Sequence, residues 1–360
     1  MKKFAKYRVF STIDLPKVLS GISMLILMGA VTLCVALFVS ENFNTNFVAF
    51  SYALATKTPY TPSSNFAEAI VNFSIPTASF TTPEEVQSPI EPIGLTQTKP
   101  LPIAQPLTIT YESASEEGYK SIDGIYINNQ SGKNIDMESL LNKKLNITLT
   151  DGPSVLIIHT HTTESYTPSE KYNYTPTETD RTTDENFNMI AVGEVIYKKL
   201  SEKGVNVIHD KTVNDQPSYS QSYSKSLKLI KSYMEKYPSI KIVIDVHRDA
   251  ITDKNGNKVR PITAFDPASA QVMLVVGTNA SGLTHPDWST NLSFALKLQY
   301  AMNSHYPTLA RPINLRRERF NQHLAPYSFI LEVGSNGNRL EEAKKGAEYF
   351  SESLIQMLKL

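Results

Sequence analysis

One histidine and one carboxylate follow a short apolar run at a spacing that could hold a metal ion. The run is Val155-Leu156-Ile157-Ile158, and His161 and Glu164 come shortly after it. Four consecutive branched apolar residues are typical of a strand buried in a sheet that carries helices on both faces. Ligands of open α/β sheets collect where strands end. The spacing therefore predicts that His161 and Glu164 share a metal ion if a third ligand comes from elsewhere.

Two further apolar runs end in the same kind of polar residue. The run from Ile240 to Val246 precedes His247, and Phe329-Ile330-Leu331 precedes Glu332. Ionisable groups buried at three strand ends cost free energy unless they contact one another or a metal ion. The sequence therefore predicts that the three strand ends meet.

The predicted ligand set is His161, Glu164 and His247. Two imidazoles and one carboxylate leave a coordination position open for water, as in hydrolytic Zn²⁺ sites. Such a site can lower the pKa of water to about 7, and Glu332 on a separate strand suits the base that moves the proton to a leaving nitrogen. The only cysteine, Cys34, lies in an apolar run, so cysteine is not expected among the ligands.

Two more residues are candidates for this site. His159 is expected to share a strand face with His161, so it is either a support behind the ligands or the ligand itself. Arg248 could bind a substrate carboxylate through two parallel hydrogen bonds, or it could pair with Asp245 or Asp249. Histidines further from these strand ends are interpreted as ordinary residues: His209, His285 and His305.

The first forty residues have the pattern of a membrane anchor. Residues 18–39 are uncharged, and this length is about the ~20 residues that a helix needs to cross a bilayer. Five basic residues precede the run and Glu41 follows it, which predicts a cytoplasmic tail at 1–17, a transmembrane helix at 18–40 and an extracytoplasmic remainder. The run exceeds the ~7–15 residues of a signal-peptide core, so an uncleaved anchor in the cell membrane is favoured.

The rest of the chain divides by composition. Residues 41–110 are rich in Pro, Ser and Thr and are predicted to be an extracytoplasmic linker. Residues 111–150 are a transitional segment, and 151–360 are expected to form the catalytic domain. The whole chain has 35 basic and 35 acidic residues, so its charge gives no indication of a nucleic-acid partner.

The predicted fold class is α/β, with a mostly parallel sheet flanked by helices. Strand patterns alternate with helix patterns throughout 151–360. Residues 311–319 are expected to form an edge strand, and the polar loop at 162–183 is long enough to cover a site. The predicted helices lie at 188–203, 219–237, 291–305 and 339–360.

Three motifs resemble the stage II sporulation protein P family. They are His161-Thr162-Thr163-Glu164-Ser165-Tyr166, Asp245-Val246-His247-Arg248-Asp249-Ala250 and Leu331-Glu332-Val333-Gly334-Ser335. The resemblance covers about Asp151 to Leu360. It implies an amidase/phosphorylase-hydrolase-like fold and a zinc-dependent N-acetylmuramoyl-L-alanine amidase, with added endopeptidase activity, that degrades septal peptidoglycan during forespore engulfment. It further implies a mother-cell membrane location facing the intermembrane space, and stage II sporulation proteins D and M as partners.

The chain departs from the wider amidase family at one ligand. That family usually opens its site with Gly-His-Gly-Gly and takes its ligand Glu from the start of the next helix, whereas the glycine pair is absent here. Glu185, just before the first predicted helix, therefore competes with Glu164. We prefer Glu164 because its spacing from His161 resembles the His-x-x-Glu pair of zinc carboxypeptidases.

Two other functions stay open at this point. The same metal ligands would serve a carboxypeptidase or endopeptidase that acts on stem peptides. A tethered peptidoglycan-binding module with an inactive site would also fit the anchor and linker. Analysis of the reaction products distinguishes the enzymes from each other and from the binding module.

Overall fold

A computed structural model describes residues 105–109 and 118–360. The predicted tail at 1–17, the predicted transmembrane helix at 18–40 and most of the predicted linker lie outside the described residues. Within the described ranges, no helix has the length and apolar character needed to cross a membrane.

The described residues form ten strands and five α-helices. The strands are β1 (Gln105–Leu107), β2 (Tyr119–Ile122), β3 (Ile125–Asn129), β4 (Val155–Ile158), β5 (Val207–His209), β6 (Ile242–Asp249), β7 (Val259–Pro261), β8 (Val272–Gly277), β9 (Ile313–Arg316) and β10 (Tyr327–Ser335). The helices are α1 (Met137–Asn142), α2 (Met189–Glu202), α3 (Ser222–Lys236), α4 (Trp288–His305) and α5 (Leu340–Leu358). Short 3₁₀ turns at Tyr219–Gln221 and Gln322–Leu324 precede α3 and β10.

Eight of the strands form one mixed sheet in the order β2-β3-β9-β8-β10-β6-β4-β5. Five of its seven neighbouring pairs are parallel, and the β2–β3 and β8–β10 pairs are antiparallel. The predicted α/β class is confirmed. β9 lies between β3 and β8, so the expectation of an edge strand at 311–319 is wrong.

The two faces of the sheet bury different residues, because side chains alternate along a strand. On one face, Ile157, Ile244 and Leu331 belong to a large cluster that includes apolar side chains of α1, α2, α4 and α5. On the other face, Ile158 and Val243 belong to a smaller cluster with α3. Among the described helices, α3 alone contributes side chains to this second cluster.

The folded domain begins upstream of the predicted start at residue 151. Ile125 and Ile127 are buried in the large cluster, and β3 pairs in parallel with β9. The β2–β3 connection is a tight turn in which Asp123 and Gly124 both have positive φ, 48° and 75°. Such a turn matches the twist of a two-stranded hairpin. The segment at 111–150, predicted to be transitional, therefore supplies two strands of the sheet.

Candidate active site

The carboxyl ends of β4, β6 and β10 lie side by side. β6 lies between the other two strands, and all three run parallel. Glu332 is the register partner of His247, and Ile158 is the register partner of Asp245. The structure therefore brings the three predicted strand ends together.

The three predicted metal ligands are buried neighbours. His161, Glu164 and His247 are only 9%, 6% and 4% exposed. The ring centroids of His161 and His247 lie 5.2 Å apart, and Nδ1 of His247 lies 3.6 Å from Oε2 of Glu164. In the part of the chain that the structure describes, no group of three or more His, Cys, Asp or Glu side chains is arranged to hold a metal ion. The three candidate ligands are therefore adjacent, but their side chains are oriented differently from those of a formed metal centre.

The chemistry of these side chains nevertheless fits a zinc ion. Nδ1 of His161 is buried and has no hydrogen-bond partner. Buried polar atoms without partners are rare, because their desolvation is not compensated. Two imidazoles and one carboxylate are also a donor set of zinc hydrolases. The residues at the ends of β4 and β6 therefore suit Zn²⁺.

Asp245, which lies two residues before His247 on β6, fixes the position of the His247 ring. Its Oδ1 lies 3.0 Å from Nε2 of His247 in an ion pair. The Thr160 amide and hydroxyl donate to the same carboxylate at 2.8 and 2.6 Å. Burial alone would raise the pKa of Asp245, but His247 and these hydrogen bonds lower it below its ordinary value. Burial would lower the pKa of His247, but the charge and hydrogen bond of Asp245 together with the charges of Glu164 and Glu332 outweigh this and raise it to about 10.

His161 is neutral and lies under two further side chains. Burial lowers its pKa to about 3, and the nearby charge of His247 adds to this effect. The ring of Tyr219 stacks on His161 with centroids 4.4 Å apart, and the guanidinium of Arg181 lies 4.7 Å from the Tyr219 ring centroid. Tyr219 is 56% exposed, so the stack of His161, Tyr219 and Arg181 leads from the buried site to the surface.

Glu332 combines an accessible side chain with a buried oxygen. The residue is partly exposed, whereas its Oε2 is buried and has no hydrogen-bond partner. Burial raises its pKa to about 8, and the neighbouring Asp249 carboxylate adds to the shift. A carboxyl group with a pKa near neutral pH can both hold and release a proton.

His159 lies on the other side of the sheet from His161, so the expectation of a shared face is wrong. β4 ends at Ile158 and a turn begins at Thr160, which interrupts the alternation of side chains. Nδ1 of His159 is 3.1 Å from the Val246 carbonyl oxygen, and its Nε2 is 2.9 Å from Nε2 of His209. Both ring nitrogens are engaged, so His159 supports the strands rather than offering a free ligand atom.

Gly193 of α2 leaves room for the rings of His159 and His209. A Cβ atom at position 193 would lie 2.6 Å from the His159 ring and 2.7 Å from the His209 ring. Glu194 accepts from the other side, with 3.3 Å between its Oε2 and Nδ1 of His209. His209, interpreted from sequence as ordinary, is therefore a structural partner of His159.

The Arg248 side chain donates hydrogen bonds to backbone carbonyls and does not face an open site. Its Nε donates to the Ser165 carbonyl at 2.9 Å, and Nη2 donates to the Asp180 carbonyl at 3.0 Å and the Thr179 carbonyl at 3.3 Å. Nη1 donates to the Asp249 carbonyl at 3.4 Å. The side chain is buried, so these four bonds leave little capacity for a substrate carboxylate. Neither predicted role, substrate binding or pairing with an Asp carboxylate, matches these contacts.

The structure separates the two competing glutamates. Glu164 is buried, and its carboxylate accepts from the Arg248 amide at 3.3 Å and lies 3.5 Å from Arg181 Nη2. Glu185 is exposed in the segment before α2. Asn188, not Glu185, caps this helix by accepting from the Ile190 amide. Glu164 is thus the glutamate that lies with His161 and His247.

The polar loop after β4 is folded onto the strand ends. Tyr166 is fully buried, and its hydroxyl donates to the Val333 carbonyl at 2.8 Å. Arg181 pairs with Asp215 at 2.7 Å, and Asp215 also accepts from the Thr163 hydroxyl at 2.6 Å. These contacts place the loop over the site, as its length indicated.

Sequence reasoning missed several residues of this cluster. Asp245 could have been found, because it precedes His247 by two residues on the same strand face. Arg181, Asp215 and Tyr219 carry no local signal, since Arg181 reaches the site from the loop after β4, and Asp215 and Tyr219 reach it from the connection between β5 and α3.

Comparison with known proteins gives one family and one curated relative. The family described as "Stage II sporulation protein P (SpoIIP)" matches residues 94–355. Stage II sporulation protein P of Bacillus subtilis (strain 168) is 28% identical over 218 residues. The match covers 58% of this chain and 51% of the relative, so it spans about half of the relative's length.

Three solved structures show weak likeness to the chain. N-acetylmuramoyl-L-alanine amidase AmiC2 of Nostoc punctiforme is 11% identical with a TM-score of 0.34, over 58% of this chain and 99% of that one. The N-acetylmuramoyl-L-alanine amidase from Clostridium difficile 630 is 15% identical with a TM-score of 0.34, over 58% and 98%. The catalytic domain of CwlV, an amidase from Bacillus (Paenibacillus) polymyxa, is 11% identical with a TM-score of 0.32, over 57% and 98%. TM-scores this low do not establish a common fold.

Proposed function

The chain belongs to the stage II sporulation protein P family, and from this premise we propose that it is a zinc-dependent peptidoglycan hydrolase. The proposed reaction is that of an N-acetylmuramoyl-L-alanine amidase acting on septal peptidoglycan during forespore engulfment. The observation that carries the proposal is the meeting of His161, Glu164, His247 and Glu332 at three adjacent strand ends.

His161, Glu164 and His247 are the proposed holders of Zn²⁺. Zinc would supply Lewis acidity toward the scissile carbonyl and would acidify water. His161 offers a neutral ring with a free Nδ1, and Asp245 and Thr160 fix the position of the His247 ring. Partners that orient a ligating histidine typically change metal affinity or activity by about 10–100-fold. We therefore assign Asp245 a positioning role.

Glu332 is the proposed proton carrier. Water adds to the amide carbonyl, Glu332 accepts its proton, and the same proton passes to the amide nitrogen as the carbon–nitrogen bond breaks. The products are a free lactyl carboxylate on the glycan and a free amine on the peptide. A partly exposed carboxyl with a pKa near 8 suits both halves of this transfer.

Membrane attachment and partners are further parts of the proposal. The composition of residues 18–40 supports a single-pass anchor in the mother-cell membrane, with the amino end in the cytoplasm and the folded domain facing the intermembrane space. Family membership supports stage II sporulation proteins D and M as candidate partners. Protease treatment of intact protoplasts tests the topology: digestion of the folded domain is expected, and full protection would contradict it.

Product analysis is the experiment that tests the activity. Full-length protein would be incubated with purified peptidoglycan, and the products would be separated and identified by mass spectrometry. Stem peptides with a free amino-terminal alanine are expected from wild type. Products cut only within the stem would indicate the carboxypeptidase or endopeptidase, and binding without any product would favour the inactive module.

A further inference from the structure

The sheet face that carries His247 and Glu332 continues beyond the part covered by α3. In the antiparallel β8–β10 pair, Met273 lies directly opposite Glu332. One strand further, Asn314 of β9 pairs in register with Asn128 of β3. Asn314 and Asn128 alternate with Ile313, Leu315 and Ile127, which belong to the large cluster on the opposite face. The side chains of Glu332, Met273, Asn314 and Asn128 therefore lie on one continuous surface.

A cavity of about 240 Å³ lies on this surface, and Met273, which lies opposite Glu332, is one of its lining residues. Its walls combine four apolar residues with polar groups on neighbouring elements. They are Ile109, Ile251, Met273 and Pro312, with Tyr119, Asn128, Asp249, Arg311 and Asn314. This volume is below the roughly 300–1,000 Å³ of sites for drug-sized ligands. The cavity therefore accommodates a small part of a polymer.

The polar groups of the cavity call for a ligand that donates hydrogen bonds and carries little charge. Oδ1 of Asn314 is buried and has no hydrogen-bond partner. Nδ2 of Asn128 donates to the Tyr119 hydroxyl at 3.0 Å. Arg311, which is 4% exposed, forms an ion pair with Asp249 at 2.6 Å, so its charge is neutralised within the wall. A peptide N–H aimed at Asn314 satisfies the free acceptor.

The cavity lies within reach of the scissile bond. Asn314 lies two strands away from Glu332. Along the strand direction, Asn314 is displaced by two residues from Met273, the residue that lies opposite Glu332. With strands about 4.8 Å apart and a rise of about 3.3 Å per residue, this displacement is about 12 Å. An extended peptide covers that distance in three to four residues.

We infer that this cavity, the stem-peptide pocket, binds the peptide stem of peptidoglycan three to four residues from the cleaved amide. The inference rests on the proposed function, since that function places the cleaved bond at Glu332. Asn314 accepts a stem N–H, while Ile251, Met273 and Pro312 contact the aliphatic part of the stem. A sugar ring presents hydroxyls on several sides and would need more polar partners than this wall offers.

Binding of product-like ligands tests the pocket without requiring catalysis. The free stem tetrapeptide, the stem dipeptide and the peptide-free glycan disaccharide would be titrated into full-length protein by calorimetry. Asn314→Leu removes the carboxamide at similar volume, and Ile251→Trp fills the cavity. Asn255→Leu is the matched control, because Asn255 is exposed in a turn and only its backbone amide has a hydrogen bond, to Asp253.

Asn314→Leu and Ile251→Trp are each expected to weaken tetrapeptide binding by about five- to tenfold. This loss of affinity corresponds to the free energy of one hydrogen bond or one apolar contact. Dipeptide and disaccharide binding are expected to be unchanged, as is every affinity of Asn255→Leu. Unchanged tetrapeptide binding in both folded pocket variants would overturn the inference. Loss of disaccharide binding alone would also overturn it, because the cavity would then hold glycan.

Hydrolysis assays separate failure of the pocket from failure of the proposed activity. On a muramoyl tetrapeptide, Asn314→Leu is expected to raise KM by about five- to tenfold with kcat unchanged. On a muramoyl monoalanine substrate, it is expected to match wild type. A wild type that cleaves neither substrate would refute the proposed amidase, whereas equal KM values for variant and wild type on the tetrapeptide would refute the pocket.

Discussion

Two buried histidine pairs have the same ring separation and opposite chemistry. The centroids are 5.2 Å apart both for His161 with His247 and for His159 with His209. In the second pair, the rings bond each other, the Val246 carbonyl and Glu194, so their polar atoms are satisfied within the fold. In the first pair, Nδ1 of His161 has no hydrogen-bond partner, and His247 contacts the carboxylates of Asp245 and Glu164. An unsatisfied nitrogen on His161, rather than proximity, therefore marks this unsatisfied pair as the one that is free to bind a ligand.

Removing a ring from the unsatisfied pair should have the largest effect. His161→Ala and His247→Ala are each expected to abolish peptidoglycan hydrolysis, because either change leaves only two of the three proposed ligands. Release of stem peptides over time is the measurement. Activity in either variant within tenfold of wild type would remove that histidine from the proposed ligand set.

Glu332→Gln should have the next largest effect. The amide keeps the size of the side chain but cannot carry the proton, so kcat is expected to fall by about 10²–10⁴-fold. Metal content is expected to stay at the wild-type level. Glu185→Gln, the same change at an exposed position, is the matched control and should keep full activity. Equal rates for Glu332→Gln and Glu185→Gln would contradict the proton-transfer role.

Asp245→Asn should have an intermediate effect through His247. The carboxylate raises the pKa of His247 and fixes its ring, so its loss is expected to weaken metal affinity or activity by about 10–100-fold. Competition with a chelator measures the affinity. Since the pair lies at a strand end, circular dichroism would check that the variant is folded. Wild-type affinity and activity in a folded variant would show that the ion pair has no positioning role.

The satisfied pair should affect stability and leave the chemistry nearly unchanged. His159 has a folded-state pKa lowered to about 3 by burial, against an ordinary value of 6.5. The unfolded chain, in which the His159 pKa is 6.5, takes up a proton more readily than the folded chain. The neutral ring therefore stabilises the fold above pH 6.5, and that stability is lost as the pH falls toward 3. His159→Gln is expected to reduce this acid dependence while retaining activity within a few-fold. Denaturant unfolding between pH 4 and 7 measures the difference.

The residues of the site were predictable where they follow a local pattern. The apolar runs before His161, His247 and Glu332 identified three strands, and parallel neighbours necessarily end together. The pattern misplaced His159, because a single turn at Thr160 reverses the side to which a residue points. The pattern also gave Arg248 a role in the site. The hydrogen bonds that Arg248 donates to backbone carbonyls of a distant loop cannot be predicted from sequence spacing.

The limits of the fold prediction have a similar cause. The β2–β3 hairpin is short and joins the sheet only through pairing with β9, nearly two hundred residues later in the chain. Without that pairing, Ile125 and Ile127 look like isolated apolar residues in a polar segment. The position of β9 inside the sheet follows from the same long-range contact. Local periodicity therefore located the strands near the site better than it located the ends of the sheet.

Zinc binding by the two histidine pairs tests the central claim most directly. Full-length wild type, His161→Ala and His159→Gln would be dialysed to equilibrium with limiting zinc, and the metal would be measured per chain. About one zinc ion per chain is expected for wild type and for His159→Gln, and none above background for His161→Ala. Equal zinc in all three proteins, or loss of zinc from His159→Gln with retention in His161→Ala, would contradict the assignment of the unsatisfied pair as the metal site.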